Sequence, residues 1–101
     1  MEYRALGKSG LKVSALGLGT MAFGGATQRD EAQQMVEVAK DLGINLFDCA
    51  NVYNSGRAEE ILGKAVAGFR DKVVLTTKAY FPTGQGANDS GSSRLLSLIH
   101  I

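Results

Sequence analysis

Strand-like and helix-like segments alternate along this chain, and this alternation restricts its fold more than any other feature. Apolar residues recur at helical spacing in two stretches, about 28–42 and about 57–68. Short apolar or β-branched runs lie before, between and after them, at 14–20, 44–48 and 73–78. Strands that alternate with helices pair in parallel, because each helix carries the chain back to the same edge of the sheet. The pattern therefore predicts an α/β fold with a parallel sheet.

Local signals predict further details. Two short runs, 3–6 and 11–13, flank the turn residues 7–10, two of which are glycines, and this indicates a β-hairpin ahead of the parallel strands. Thr27 and Asp30 have the spacing of a capping box at the start of the first helix. The stripe expected to be buried on that helix consists of Ala32, Met35, Val36, Ala39 and Leu42. The stripe on the second helix consists of Ala58, Ile61, Leu62, Ala65, Val66 and Phe69.

Composition excludes several classes of protein. Eleven basic residues against ten acidic ones leave a formal charge of +1. Binding to nucleic acids or to anionic membranes requires a concentrated positive charge, so we expect neither as a partner. A single cysteine, Cys49, excludes an internal disulfide and a multi-cysteine zinc site, and we predict no metal site. The sequence has no apolar run of membrane-spanning length and no secretory signal, so we expect a protein of the reducing cytoplasm.

Candidate functional residues lie where the predicted strands end, which is where functional groups lie in parallel β/α folds. These residues are Gly19, Thr20, Met21, Asp48, Asn51, Tyr53 and Lys78. A free tyrosine phenol is too weak an acid to donate a proton readily near neutral pH. A nearby ammonium stabilises the phenolate, and a carboxylate keeps that ammonium charged and oriented. An acid tuned in this way can protonate a carbonyl oxygen during hydride reduction, with the hydride supplied by a cofactor.

Six segments of the chain, in order, resemble the aldo-keto reductases. They are residues 3–14, 16–21, 43–50, 51–53, 58–63 and 73–78. The match runs from about residue 3 to 94, and residues 88–94 resemble a loop of the bacterial, potassium-channel-β-like branch of that family. Six segments in register make the resemblance specific.

The resemblance implies the N-terminal part of a (β/α)8 TIM barrel with the hairpin as its cap, and NADPH-dependent reduction of small aldehydes or ketones to alcohols. It also implies that Tyr53 donates the proton, that Lys78 strengthens Tyr53 as an acid, and that Asp48 holds Lys78. The residues that it implies for cofactor binding are Gly19, Thr20, Met21 and Asp48.

The chain departs from the family's pattern in three places. Cys49 stands where the family usually has threonine, which is a small change. The family's catalytic histidine lies after the fourth strand, and His100 is not assigned that role because its surroundings do not match. The helix that follows Arg94 in the family is expected to be missing. Because three strands cannot close a barrel, we expect residues 1–101 to be a partial domain that is inactive and either marginally stable or prone to aggregate when alone.

Other interpretations stay open. Gly17 and Gly19 partly match a dinucleotide-binding fingerprint, but the helix begins near residue 28, too late to point its N-terminus at a pyrophosphate. Cys49 is expected to be a small core residue, and Met21 and Phe23 are expected either to line a substrate pocket or to pack within their loop. A nucleotide-binding regulatory or channel-β-like subunit is the second functional hypothesis, and a non-functional fragment is the third.

Overall fold

The structure is a computed structural model that describes residues 1–99, so His100 lies outside the described residues. Its strands are β1 (Tyr3–Ala5), β2 (Lys12–Ser14), β3 (Leu18–Gly19), β4 (Leu46–Asp48) and β5 (Val74–Thr76). Its helices are α1 (Arg29–Asp41), α2 (Arg57–Val66) and α3 (Arg94–Ile99), with 3₁₀ segments at Tyr53–Gly56 and Ala67–Lys72. The order of hairpin, strand, helix, strand, helix and strand is the predicted one.

The predicted hairpin is present as an antiparallel pair, β1 with β2. The Tyr3 hydroxyl donates to the Gly43 carbonyl at 2.7 Å. The Asn45 side-chain amide donates to the Lys12 carbonyl and accepts from the Ser14 backbone N–H. Gly43 and Asn45 directly precede β4, so the hairpin is fastened to the end of the parallel sheet at which that strand begins.

The parallel sheet has the order β3-β4-β5, with Gly19 opposite Asp48 and Asp48 opposite Thr76. Side chains alternate between the two faces of a strand. Phe47 and Cys49 belong to the apolar core formed with α1 and α2, so Asp48 projects from the opposite face. This alternation separates the core from the polar end of β4.

The first helix differs from the prediction at its start and along its flank. Its N-cap is Gln28, whose backbone N–H donates to the Glu31 carboxylate at 3.3 Å, so the capping box lies one residue later than predicted. Glutamate reaches back to the N-cap more readily than aspartate, because its side chain is one methylene longer. Met35 and Leu42 are 41% and 62% exposed, and they were expected to be buried. They lie beside β3 at the edge of the sheet, whereas the rest of the stripe packs inward.

The expectation that the helix after Arg94 is missing is wrong. Helix α3 begins at Arg94, the Ser93 hydroxyl accepts from the Leu96 backbone N–H at 3.1 Å, and Leu96 is 2% exposed. The Ser93 hydroxyl caps the first turn of this helix, and the buried Leu96 side chain anchors it to the rest of the chain. The second helix ends earlier than predicted, at Val66, and continues as the 3₁₀ segment that contains Phe69.

Candidate active site

Asp48, Tyr53 and Lys78 lie together at the carboxyl ends of β4 and β5. The Lys78 ammonium is 2.7 Å from Asp48 Oδ2 and 3.4 Å from the Tyr53 hydroxyl. It also donates to the Cys49 carbonyl at 2.7 Å and lies 5.2 Å from the centre of the Tyr53 ring. One ammonium therefore connects the carboxylate to the phenol.

The parallel register explains why the acid and the amine meet. Asp48 is opposite Thr76 in β5, and Lys78 lies two residues after Thr76. The side chains of Thr76 and Lys78 therefore point to the same side of the sheet as Asp48. The backbone N–H of Asn51 donates to the Lys78 carbonyl at 3.0 Å, which continues the pairing beyond the strands. The long lysine side chain then reaches back to the Asp48 carboxylate.

Tyr53 is positioned by a tight turn rather than by a strand. Asn54 and Ser55, which follow it, have φ angles of 50° and 58°, in a left-handed region that non-glycine residues seldom adopt. The Asn54 side-chain amide donates to the carbonyls of Met21 and Phe23, both at 2.8 Å. The turn is therefore tied to the loop after β3, and the strain of two left-handed residues is offset by these bonds.

The electrostatics of the Asp48–Lys78 pair favour its charged form. Partial burial acts to raise the pKa of Asp48, but hydrogen bonds from Lys78 and Thr76 outweigh it and hold the pKa below its ordinary value. The hydrogen bond to Asp48 raises the pKa of Lys78, against the opposing effect of burial. Their side chains are 47% and 52% exposed, so the pair is accessible to solvent at the carboxyl ends of the strands.

A match to a known family accompanies this geometry. The model of the aldo/keto reductase family matches residues 15–96, which is most of the chain. This chain belongs to the aldo/keto reductase family. The match includes Asp48, Tyr53 and Lys78 and reaches α3, slightly beyond the predicted limit near residue 94.

Relatives of this aldo/keto reductase chain include proteins from two plants. Proteins of Arabidopsis thaliana and of Oryza sativa subsp. japonica, each named a probable voltage-gated potassium channel subunit beta, are both 45% identical over 98 residues. Each alignment covers 93% of this chain and 30% of the relative. The predicted likeness to channel β-subunits is confirmed, and the bacterial origin stays a prediction. The chain spans about a third of the length of these relatives.

Among solved structures, an aldo-keto reductase from Bacillus halodurans in its holo form is similar to this chain. The TM-score is 0.74 at 40% identity, with 84% of this chain and 28% of that chain covered. The predicted fold class, the N-terminal part of a TIM barrel with α/β content, is confirmed.

The loop predicted to contact a cofactor in this aldo/keto reductase chain has two different environments. Gly19 and Met21 are exposed, and Met21 is 68% accessible to solvent. Thr20 is fully buried, and both its hydroxyl and its backbone N–H donate to the Asp48 carbonyl, at 2.9 and 3.0 Å. The Thr20 side chain therefore holds the end of β4, and only its neighbours face solvent.

The remaining residues considered in the sequence lie mostly in the interior. Cys49 is buried, which raises the pKa of its thiol, and Phe23 packs in the core rather than in a pocket. Asn51 is also buried, and its side-chain N–H₂ has no hydrogen-bond partner within residues 1–99.

Residues 1–99 contain no helix with the length and apolar character needed to span a membrane. Over the same range, no three acidic, histidine or cysteine side chains are grouped closely enough to bind a metal.

Sequence reasoning missed two polar residues of this site, Asn54 and Thr76. Asn54 lies in a stretch that reads only as a loop, and asparagine's tolerance of left-handed backbone was the available signal. Thr76 lies within an apolar strand, and only its spacing of two residues from Lys78 would have indicated a shared face.

Proposed function

We propose that this chain forms the N-terminal part of an NADPH-dependent reductase of aldehydes and ketones, with residues 1–101 as a partial domain. The carrying observation is the Lys78 ammonium, which contacts the Asp48 carboxylate and the Tyr53 hydroxyl at once. An ion pair with a purely structural role does not require a phenol on its exposed side. A tyrosine that donates a proton does require a neighbouring positive charge, because that charge stabilises the phenolate that remains.

The described residues fit the nicotinamide end of a cofactor beside Asp48. Apart from Gly19 itself and its two chain neighbours, no heavy atom of residues 1–99 lies within 4 Å of the position that a Cβ of Gly19 would occupy, so space is open at the end of β3. Met21 exposes an apolar side chain at the same edge, which suits contact with a flat ring. When bound there, NADPH would supply the hydride that reduces the carbonyl carbon.

Tyr53 acts as the general acid in this proposal. The carbonyl oxygen accepts a hydrogen bond from the Tyr53 hydroxyl, and its negative charge grows as the carbon is reduced. The phenol proton moves to that oxygen, which leaves an alcohol and a tyrosinate. Lys78 stabilises the tyrosinate, and Asp48 keeps the ammonium charged and directed toward it. Solvent returns the proton to Tyr53, since the edge of the sheet is exposed.

The test uses the protein expressed from its complete reading frame. Loss of NADPH absorbance with 4-nitrobenzaldehyde, a reactive aldehyde, measures turnover in the wild type and in Tyr53→Phe. We expect Tyr53→Phe to reduce kcat at least 100-fold, because general acid catalysis contributes about 10²–10⁴. Tyr3→Phe is the matched control, since Tyr3 lies on the hairpin at the opposite end of the sheet. Undiminished turnover in Tyr53→Phe would contradict the proposal, and a parallel assay with NADH measures the cofactor preference.

A second candidate function is favoured by the 45% identity to plant proteins named potassium channel β-subunits. In that case the role of the protein is to bind NADPH and a channel's cytoplasmic domain, and reduction of carbonyl compounds is not part of that role. NADPH binding followed by fluorescence, together with co-purification with a channel domain, separates the two functions. Binding of both without measurable aldehyde reduction favours the subunit role, and binding of neither favours a non-functional fragment.

A further inference from the structure

The Asp48 carboxylate is held by two donors, and only one of them belongs to the proposed catalytic set. Oδ2 accepts from the Lys78 ammonium at 2.7 Å, and Oδ1 accepts from the Thr76 hydroxyl at 2.5 Å. Both donors lie on the third parallel strand or its extension, two residues apart, and they face the same side. Both oxygens of the carboxylate therefore accept hydrogen bonds from one short segment, residues 76–78.

This arrangement limits how the carboxylate can rotate. A carboxylate bound at one oxygen can turn about its last side-chain torsion, which is broad in aspartate. A second hydrogen bond at the other oxygen removes that freedom and directs Oδ2 at Lys78. The backbone end of Asp48 is also held, because Thr20 donates twice to its carbonyl. Asp48 is therefore oriented at both ends, and within residues 1–99 Thr76 and Lys78 are the only side chains that donate to its carboxylate.

We propose that Thr76 is a positioning residue of the reductase site, which acts through Asp48 to hold the Lys78 ammonium against the Tyr53 hydroxyl. Thr76 touches neither Lys78 nor Tyr53 in the hydrogen bonds of the structure, so its effect passes through the carboxylate. The proposal rests on the proposed function, because a positioning role has meaning only if the Tyr53 hydroxyl does chemistry.

The neighbouring residue offers a matched control. Thr77 carries the same side chain, and its hydroxyl donates to a carboxylate, Glu59, also at 2.5 Å. Because successive side chains alternate, Thr77 points away from Asp48 toward α2. A general loss of strand stability would affect Thr76→Val and Thr77→Val alike. An effect on Asp48 would be confined to Thr76→Val.

The experiment compares Thr76→Val, Thr76→Ser and Thr77→Val with the wild type in the complete protein. Valine preserves the shape and branching of threonine but removes the hydroxyl, and serine restores it. We expect Thr76→Val to lower kcat for 4-nitrobenzaldehyde about tenfold, as is typical when a hydrogen bond to a charged group is lost. The KM for NADPH should change little. Thr76→Ser should recover most of the rate, and Thr77→Val should keep the wild-type kcat.

Two further readouts separate positioning from simple stability. Without the Thr76 donor, the Asp48 carboxyl should protonate at higher pH, so its NMR titration midpoint and the acid limb of the kcat profile should both move upward. Thr77→Val should move neither. A wild-type kcat and an unshifted midpoint in Thr76→Val would overturn the proposal, and so would equal effects of the two valine variants. If Tyr53→Phe is inactive while Thr76→Val is normal, only the Thr76 proposal fails. If Tyr53→Phe retains full activity, the proposed function itself fails.

Discussion

Replacing Asp48 by asparagine separates what the ion pair does for stability from what it does for chemistry. The asparagine amide keeps the shape of the carboxylate, and its oxygen can still accept from Lys78, with its N–H₂ donating to the Thr76 hydroxyl. Only the negative charge is lost. Asp48→Asn therefore tests the charge itself rather than the space that the side chain fills.

The expected effect on stability is small. At 2.7 Å two unit charges attract by about 1.5 kcal/mol even in bulk water, but the cost of removing each charge from water offsets part of that. The two side chains are 47% and 52% exposed, and exposed ion pairs contribute about 0.2–1 kcal/mol. We expect the free energy of unfolding to fall by less than about 1 kcal/mol.

The expected effect on catalysis is larger, because a neutral partner no longer keeps the Lys78 ammonium fixed beside Tyr53. We expect kcat to fall about 10- to 100-fold, which corresponds to about 1.4–2.8 kcal/mol of transition-state stabilisation. The assays are aldehyde-dependent NADPH oxidation and urea unfolding of the same preparations. Asp71→Asn, at an exposed aspartate outside the ion pairs within residues 1–99, is the control. An unchanged kcat would refute the reasoning, and a loss of more than about 3 kcal/mol in unfolding free energy would show a buried structural charge instead.

Three other predictions concern pH dependence and packing. Because the folded pKa of Asp48 is lowered, its contribution to stability is present above the ordinary aspartate value of about 3.9 and is lost as the pH falls through the folded value. Urea unfolding should therefore show the difference between wild type and Asp48→Asn shrinking in acid. Phe47→Ala, at a fully buried core position, should reduce the unfolding free energy by about 3–5 kcal/mol, and a loss below 1 kcal/mol would contradict its place in the core. Gly24 and Gly10 both have φ of +81°, but a Cβ on Gly24 would lie 2.6 Å from the Cβ of Arg57, whereas Gly10 is open. Gly24→Ala should therefore lower the melting temperature clearly more than Gly10→Ala, and equal shifts would contradict the clash.

Elements that depend on local chemistry could be predicted from the sequence. The glycine-bracketed turn between β1 and β2, and the apolar stripes of α1 and α2, follow from backbone preferences and periodicity within a few residues. The meeting of Asp48 and Lys78 could also be anticipated, because the carboxyl ends of parallel strands share one edge. The errors arose where side-chain reach or packing decides, as in the capping box at Gln28 and the helix α3 that Leu96 anchors.

The sequence by itself therefore determined the α/β class, the order of the elements as far as β5 and the end of the sheet at which the acid, the phenol and the amine gather. The tertiary structure alone decided how they are oriented. The register of β4 with β5 sets Thr76 against one carboxylate oxygen and Lys78 against the other. Burial turns the Thr20 hydroxyl inward to the Asp48 carbonyl, although the family resemblance implied a cofactor contact for this residue. Such choices depend on which strands become neighbours and which side chains lose water, and those are properties of the folded chain rather than of any segment.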